Sequence, residues 1–178
     1  MLPPNPNSNI KFNTDNLKTI YLAGGCFWGT DAYMARIPGV YSTEVGYANG
    51  ITENPTYKEV CTGLTGHAET VKLSYSEEHT KLDTLLEEFF KTIDPTSLNR
   101  QGGDIGPQYR TGIYYTSEAQ KDIVEHFIDI KKEAYCKPIA VEILPLECYY
   151  IAEGYHQDYL EKNPGGYCHV DLGLLDSE

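Results

Sequence analysis

The chain has 178 residues, a length that suits a single domain able to bury roughly two thirds of its unfolded surface without disulfide or metal staples. Its 26 Asp+Glu against 14 Lys+Arg give a net charge of −12. Such a surface repels phosphate backbones and anionic lipid headgroups, which argues against nucleic-acid binding and against a membrane-surface role. No apolar run is long enough to cross a bilayer, and Met1-Leu2-Pro3-Pro4-Asn5-Pro6 lacks the basic and apolar regions of a signal peptide, so a cytoplasmic monomer is expected.

Residues 1–16, rich in Pro and Asn, read as a poorly ordered tail. Ile20 to Ala23 suggest a short buried strand that ends at Gly24-Gly25. A helix is expected from near Cys26 to about Arg36, stopped by Pro38-Gly39. Val40 to Tyr47 is β-branched and aromatic, and Glu69 to Tyr75 alternates, with Val71, Leu73 and Tyr75 on one face. Leu82, Leu85, Leu86, Phe89, Phe90 and Ile93 make one helical stripe, closed by Asp94-Pro95. After a Gly-rich loop over 96–109 comes a strand over about 110–115. A second long helix opens with Ser117 and Gln120 in capping-box spacing and continues through Ala119, Ile123, Phe127, Ile130 and Ala134. Val141 and Ile143 mark a further strand. A last helix is expected over 153–162, and 165–178 reads as an irregular C-terminal tail. The alternation predicts an α/β (α+β) domain over 17–164, one sheet with helices packed on it.

The five cysteines (Cys26, Cys61, Cys136, Cys148 and Cys168) are odd in number and contain no C-x-x-C pair, so a secreted disulfide framework, a zinc ribbon and a thioredoxin-type motif are all disfavoured. Cys26, in Gly24-Gly25-Cys26-Phe27-Trp28-Gly29, falls at the expected first turn of a helix beside the only tryptophan. Unpaired N–H groups at a helix start favour a thiolate, and lowering a cysteine pKa by about 1.5 takes about 2 kcal/mol, within reach of such a site. A packing cysteine in a tight turn is the competing reading. Glu69, in Gly66-His67-Ala68-Glu69, would hold its proton if buried near a thiolate; a solvated strand-start glutamate is the plainer reading of its position. Tyr57 and Tyr109 each follow a loop, Asp104 lies in a Gly-Gly turn that needs no functional explanation, and Cys168 follows Gly165-Gly166-Tyr167. Cys61, Cys136 and Cys148 read as structural. Phosphate-loop, dinucleotide, zinc-protease and EF-hand patterns are absent from the sequence.

Taken together, Gly25-Cys26-Phe27-Trp28-Gly29, Gly46-Tyr47-Ala48-Asn49-Gly50, Asn54-Pro55-Thr56-Tyr57, Thr65-Gly66-His67-Ala68-Glu69, Gln108-Tyr109-Arg110, His156-Gln157-Asp158-Tyr159-Leu160 and Asn163-Pro164-Gly165-Gly166-Tyr167-Cys168 resemble the A class of peptide methionine sulfoxide reductases, from about Thr19 to Cys168. The resemblance implies a two-layer α/β sandwich with a ferredoxin-like core and a mixed sheet. It implies Cys26 as nucleophile, Phe27 and Trp28 around the substrate's S-methyl group, and Glu69, Tyr57 and Tyr109 on the sulfoxide oxygen, with Asp104 supporting through water. The substrate would be the S epimer of methionine sulfoxide, free or in proteins, and thioredoxin the usual reductant. No metal or organic cofactor is required. Many relatives carry a further cysteine beyond the one matching Cys168; here none follows it, so a single Cys26–Cys168 disulfide is expected to meet the reductant directly.

Two rivals remain at this stage. One is a cysteine hydrolase in which His67 or His156 serves Cys26 as base. The other is a module that binds oxidised methionine without reducing it, for which the cysteines would be dispensable.

Overall fold

The computed structural model describes residues 1–176; Ser177 and Glu178, the end of the expected C-terminal tail, lie outside the described residues. Eight strands are present among the described residues: β1 (Leu17–Gly24), β2 (Val40–Ala48), β3 (Ala68–Ser76), β4 (Arg100–Gln101), β5 (Asp104–Ile105), β6 (Thr111–Tyr115), β7 (Glu142–Pro145) and β8 (Tyr149–Ile151). The helices are α1 (Phe27–Met34), α2 (Tyr57–Cys61), α3 (Leu82–Lys91), α4 (Glu118–Lys131) and α5 (Tyr159–Lys162). Six strands form one sheet in the order β7-β6-β1-β3-β2-β8, mixed because only β6 and β7 run parallel. Taking β1-α1-β2-β3-α3-β6 as the chain order and β6-β1-β3-β2 as the sheet order gives the split βαβ arrangement of ferredoxin-like folds. β4 and β5 form a separate small hairpin.

The helical layer lies on one sheet face. Ile20, Leu22, Leu73, Tyr75 and Ile113 from the strands share a core with Tyr33 and Met34 of α1, with the apolar stripe of α3, and with Val124 and Phe127 of α4. α3 has the stripe its periodicity predicts, with Leu82, Leu85, Leu86, Phe89 and Phe90 buried. α4 is turned relative to expectation: Gln120, Val124 and Phe127 face inward, while Ile123 and Ile130 are exposed. Gln120 explains the offset. Its amide donates to the Thr19 carbonyl of β1 and its carbonyl accepts from Thr116 N–H, so a polar anchor fixes the helix's rotation. Ser117 caps α4 by accepting from Gln120 N–H, as the spacing predicts.

Three expectations are corrected. Residues 1–16 are not a loose tail: they include two 3-10 turns, and buried Asn7 donates to the carbonyls of Ala35 and Ile37 and accepts from Gly39 N–H. The helix expected over 153–162 is two pieces, a 3-10 turn (Gly154–His156) and α5, because Asp158 takes a left-handed conformation (φ +51°) between them. Residues 166–176 are docked and end in a 3-10 turn (Leu172–Asp176). Val170 is buried in the core, and Leu172, Leu174 and Leu175 pack on it. Among the described residues, no helix is long and apolar enough to cross a membrane.

Candidate active site

The site forms where the end of β1 meets the start of β3. Their antiparallel register sets Leu22 opposite Val71, which brings Gly24-Gly25 alongside Glu69. Gly25 has φ +84°, and a Cβ there would lie 2.7 Å from Gln101 Cβ; only glycine allows this turn against the β4–β5 hairpin. Cys26 follows as the N-cap of α1. Glu69 lies on the same strand face as Val71, Leu73 and Tyr75, the face that meets α1.

Glu69 is 1% exposed, and its Oε1 accepts from Phe27 N–H at 3.1 Å, whereas Oε2 is buried with no partner. Burial raises its pKa to about 8; the Phe27 bond opposes this and Asp104 adds to it. At neutral pH the carboxyl is therefore mostly neutral. With Oε1 committed to the backbone, Oε2 is the oxygen free to carry a donatable proton. A strand-start glutamate is here an internal acid.

Cys26 departs from the expectation of an acidic thiol. It is 7% exposed, and burial raises its pKa, with Glu69 the next contribution in the same direction. The Trp28 backbone lowers it, but by less than burial raises it. A helix end supplies only a partial charge, and no cationic side chain contributes to offset the lost hydration. At rest Cys26 is a thiol.

The two tyrosines converge on this acid. Burial first, then the neighbouring Cys61 thiol and Glu69, raises the pKa of Tyr57; burial, then Glu69, Cys61, Asp104 and Cys26, raises that of Tyr109. Both remain neutral phenols able to donate. α2, unseen in the sequence reading, presents Tyr57: Thr56 caps it, and Tyr57 N–H donates to Glu153 Oε2 while Tyr47 O–H donates to Oε1. Asp104, at the hairpin, accepts from Tyr167 O–H at 2.9 Å.

Phe27 is buried against Tyr47, Val45, Val60 and Val71, with Trp28 and Tyr57 packed on the same cluster. The Trp28 indole stacks on Tyr159 (3.7 Å between centroids, 11° between planes) and donates to His156 Nδ1 at 3.0 Å. His156 is fully buried and its pKa is lowered by burial. Because Nδ1 accepts the indole proton, the neutral ring carries its own hydrogen on Nε2 and has no lone pair left for a base. His67 is equally committed: Nδ1 accepts from Gly50 N–H and Nε2 donates to the Thr52 carbonyl. The histidine bases a hydrolase would need are thus both occupied. The positioning of Trp28 by His156 and Tyr159 was missed in the sequence; a His and a Tyr three residues apart gave no sign that one indole lies against both.

Cys168 sits over the first turn of α1. A Cβ on Gly29 would be 3.0 Å from its Sγ and 2.9 Å from Val170 Cγ2, so glycine is what lets the C-terminal strap lie this close. All five cysteines are free. Cys61 and Cys136 are exposed rather than apolar packing groups, and Cys61 lies against Tyr57 at the edge of the site; Cys148 is half-buried, its thiol directed at the Gly50 carbonyl.

Comparison with known proteins shows the family. The family model described as peptide methionine sulfoxide reductase matches residues 18–177. The chain belongs to that family. A peptide methionine sulfoxide reductase MsrA of Clostridium botulinum is 54% identical over 156 residues, covering 88% of this chain and 99% of the relative. Among solved structures, reduced Mxr1 of Saccharomyces cerevisiae superposes with a TM-score of 0.83 at 38% identity, over 90% of this chain and 93% of Mxr1. Mxr1 in complex with Trx2 matches with a TM-score of 0.60 at 25% identity, over 85% of this chain and 90% of that one. In this reductase the apolar cluster, buried Glu69 and Cys26 share one corner of the fold.

Proposed function

We propose that the reductase acts on the S epimer of methionine sulfoxide, free or in proteins, with Cys26 as nucleophile and Glu69 as acid. The observation that carries this reading is the buried, mostly neutral Glu69, one oxygen bound to the backbone beside Cys26 and the other unpartnered. A sulfoxide has a partly negative oxygen and a partly positive sulfur bearing a methyl group. Phe27 and Trp28 suit the methyl end; Tyr57, Tyr109 and Glu69 suit the oxygen, with Asp104 behind them.

Oxide leaves poorly, so attack on sulfur needs a proton delivered to oxygen. Glu69 gives that proton as the Cys26 sulfur bonds to the substrate sulfur, and the thiol proton of Cys26 replaces it on the acid. An unionised resting thiol fits this order, since charge need develop only in the transition state. The bonds from the substrate sulfur to the oxygen and to Cys26 then break as the oxygen bonds to the Cys26 sulfur, one electron pair staying on the substrate sulfur, so methionine departs and Cys26 is left as a sulfenic acid. Cys168 then attacks: its S–H is lost, the Cys26 S–O bond breaks, a Cys26–Cys168 bond forms and water leaves. A dithiol returns two electrons to break that disulfide. The yeast complex supports thioredoxin as that dithiol, and five free thiols fit a reducing compartment such as the cytoplasm.

Glu69→Gln separates this reading from hydrolysis. It keeps the shape and the acceptor for Phe27 N–H but removes the proton, so methionine formation should fall by about 10²–10⁴-fold. His67→Ala should fall far less. Retention of most activity in Glu69→Gln, or a larger loss in His67→Ala, would contradict the assignment.

A further inference from the structure

We infer that His169 is a positioning residue for the resolving step: it latches the C-terminal strap to the nucleophile loop and thereby sets Cys168 over the first turn of α1. The inference rests on the proposed resolving role of Cys168 and deepens it.

The strap reaches the site at three consecutive kinds of contact. Tyr167 O–H donates to Asp104 of the β4–β5 hairpin. His169 Nε2 lies 3.0 Å from the Gly24 carbonyl, two residues before Cys26. Val170 is buried in the core, close above Gly29. Cys168 therefore lies between an outer hydrogen bond and two inner anchors, while Gly165 and Gly166 precede it. A carbonyl can only accept, so Nε2 carries the imidazole hydrogen; Nδ1 is then a bare lone pair, buried without a partner. Burial lowers the pKa of this ring, against the raising effects of Gly24 and Asp104, and either protonation state of the ring can donate from Nε2 to the Gly24 carbonyl.

The ring has little freedom. A Cβ on Gly25 would come within 3.2 Å of its Nε2, and one on Gly102 within 3.8 Å of its Cβ, so His169 is wedged between the nucleophile loop and the hairpin turn. Its backbone is directly bonded to Cys168, and the Cys168 thiol turns back to donate to the Val170 carbonyl at 3.2 Å. Rotation of the strap about this point would carry the sulfur away from Cys26. Intramolecular attack is steeply sensitive to such misplacement, of order a hundredfold for about 1 Å. None of this touches the sulfoxide, so the latch should affect disulfide formation and leave oxygen transfer alone.

The test is a single turnover of the full-length reduced protein with a methionine sulfoxide peptide, following methionine release, the Cys26 sulfenic acid trapped by dimedone, and the Cys26–Cys168 disulfide. In His169→Ala, methionine should appear at the unaltered rate, which also shows that the variant is folded. The sulfenic acid should accumulate and disulfide formation should slow by about tenfold or more. His169→Gln carries an amide N–H where Nε2 stands and should recover most of the lost rate. Disulfide formation at the normal rate in His169→Ala, equal slowing of both steps, or no recovery in His169→Gln would overturn the latch. Cys168→Ser, run in parallel, isolates the underlying reading: if its Cys26 still enters an intramolecular disulfide at the normal rate, Cys168 is not the resolving thiol, whatever His169→Ala does.

Discussion

Glu69 shows how one side chain's meaning changes with its surroundings. Its position in the sequence fits a wet strand terminus, yet the fold closes over it and raises its pKa from 4.5 to about 8. The shift has a sign that can be tested. Folding holds a proton that the unfolded chain releases above about pH 4.5, so this contribution to stability is fully present below that pH and is lost as pH rises to about 8. The stability of the unaltered protein relative to Glu69→Gln should therefore decline across that interval, measured as urea midpoints at successive pH values. Methionine formation should decline through pH 8 as the acid empties, because the Cys26 thiol, its own pKa raised by burial, gains no compensating thiolate there. A rate that climbs through pH 8 would mean that thiol ionisation, not the acid, limits the reaction. The expectation of an acidic Cys26 and the reading of Glu69 by position alone share one blind spot: a sequence shows the helix end and the strand start but not how much water is removed from them.

Among the elements, those with long periodic patterns were legible. The stripe of α3 and the alternation of β3 needed no partner to reveal them, since each repeats over several turns or pleats. The short ones were legible only in part: β6 and β7 were expected, α2 and β8 were not. α2 has five residues and β8 three, too few for a period, and both exist because neighbours complete them: Glu153 holds the N-terminus of α2, and β8 pairs with the end of β2. The rotation of α4 depends on Gln120 reaching β1, a contact between residues far apart in sequence. The N-terminal stretch is a similar case, where a Pro- and Asn-rich composition conceals one well-placed side chain. Asn7 makes three hydrogen bonds to the turn after α1. Asn7→Ala removes the acceptor of Gly39 N–H and a donor to the Ala35 and Ile37 carbonyls, the latter still bonded by Val40 N–H, and should lower stability by about 1–3 kcal/mol in urea unfolding, with methionine formation unaffected at 25 °C. No loss of stability would mean that the stretch merely rests on the domain.

In the whole molecule, the site is assembled from segments that the chain order keeps apart: the β1–α1 turn, the start of β3, α2, the β4–β5 hairpin, the His156 turn and the strap at Cys168. Strand order could not be read, because pairings such as β1 with β6 join residues about ninety positions apart and leave no local trace. The motifs nonetheless supplied candidate site residues, and the fold brings Cys26, Glu69, Tyr57, Tyr109 and Asp104 within electrostatic reach of one another. What the motifs did not disclose is the support: His156 and Tyr159 holding Trp28, Glu153 joining Tyr47 to Tyr57, and His169 against Gly24. The central claim is that one corner carries out oxygen transfer and then seals itself with its own second thiol. Anaerobic single turnover with the separated S and R epimers of a methionine sulfoxide peptide tests it most directly, counting methionine formed and thiols lost and mapping any disulfide by mass spectrometry. One methionine and two thiols per molecule, with the S epimer alone and the bond between Cys26 and Cys168, is the predicted result. Methionine from the R epimer, none from the S epimer, or a bond from Cys26 to Cys61, Cys136 or Cys148 would contradict it.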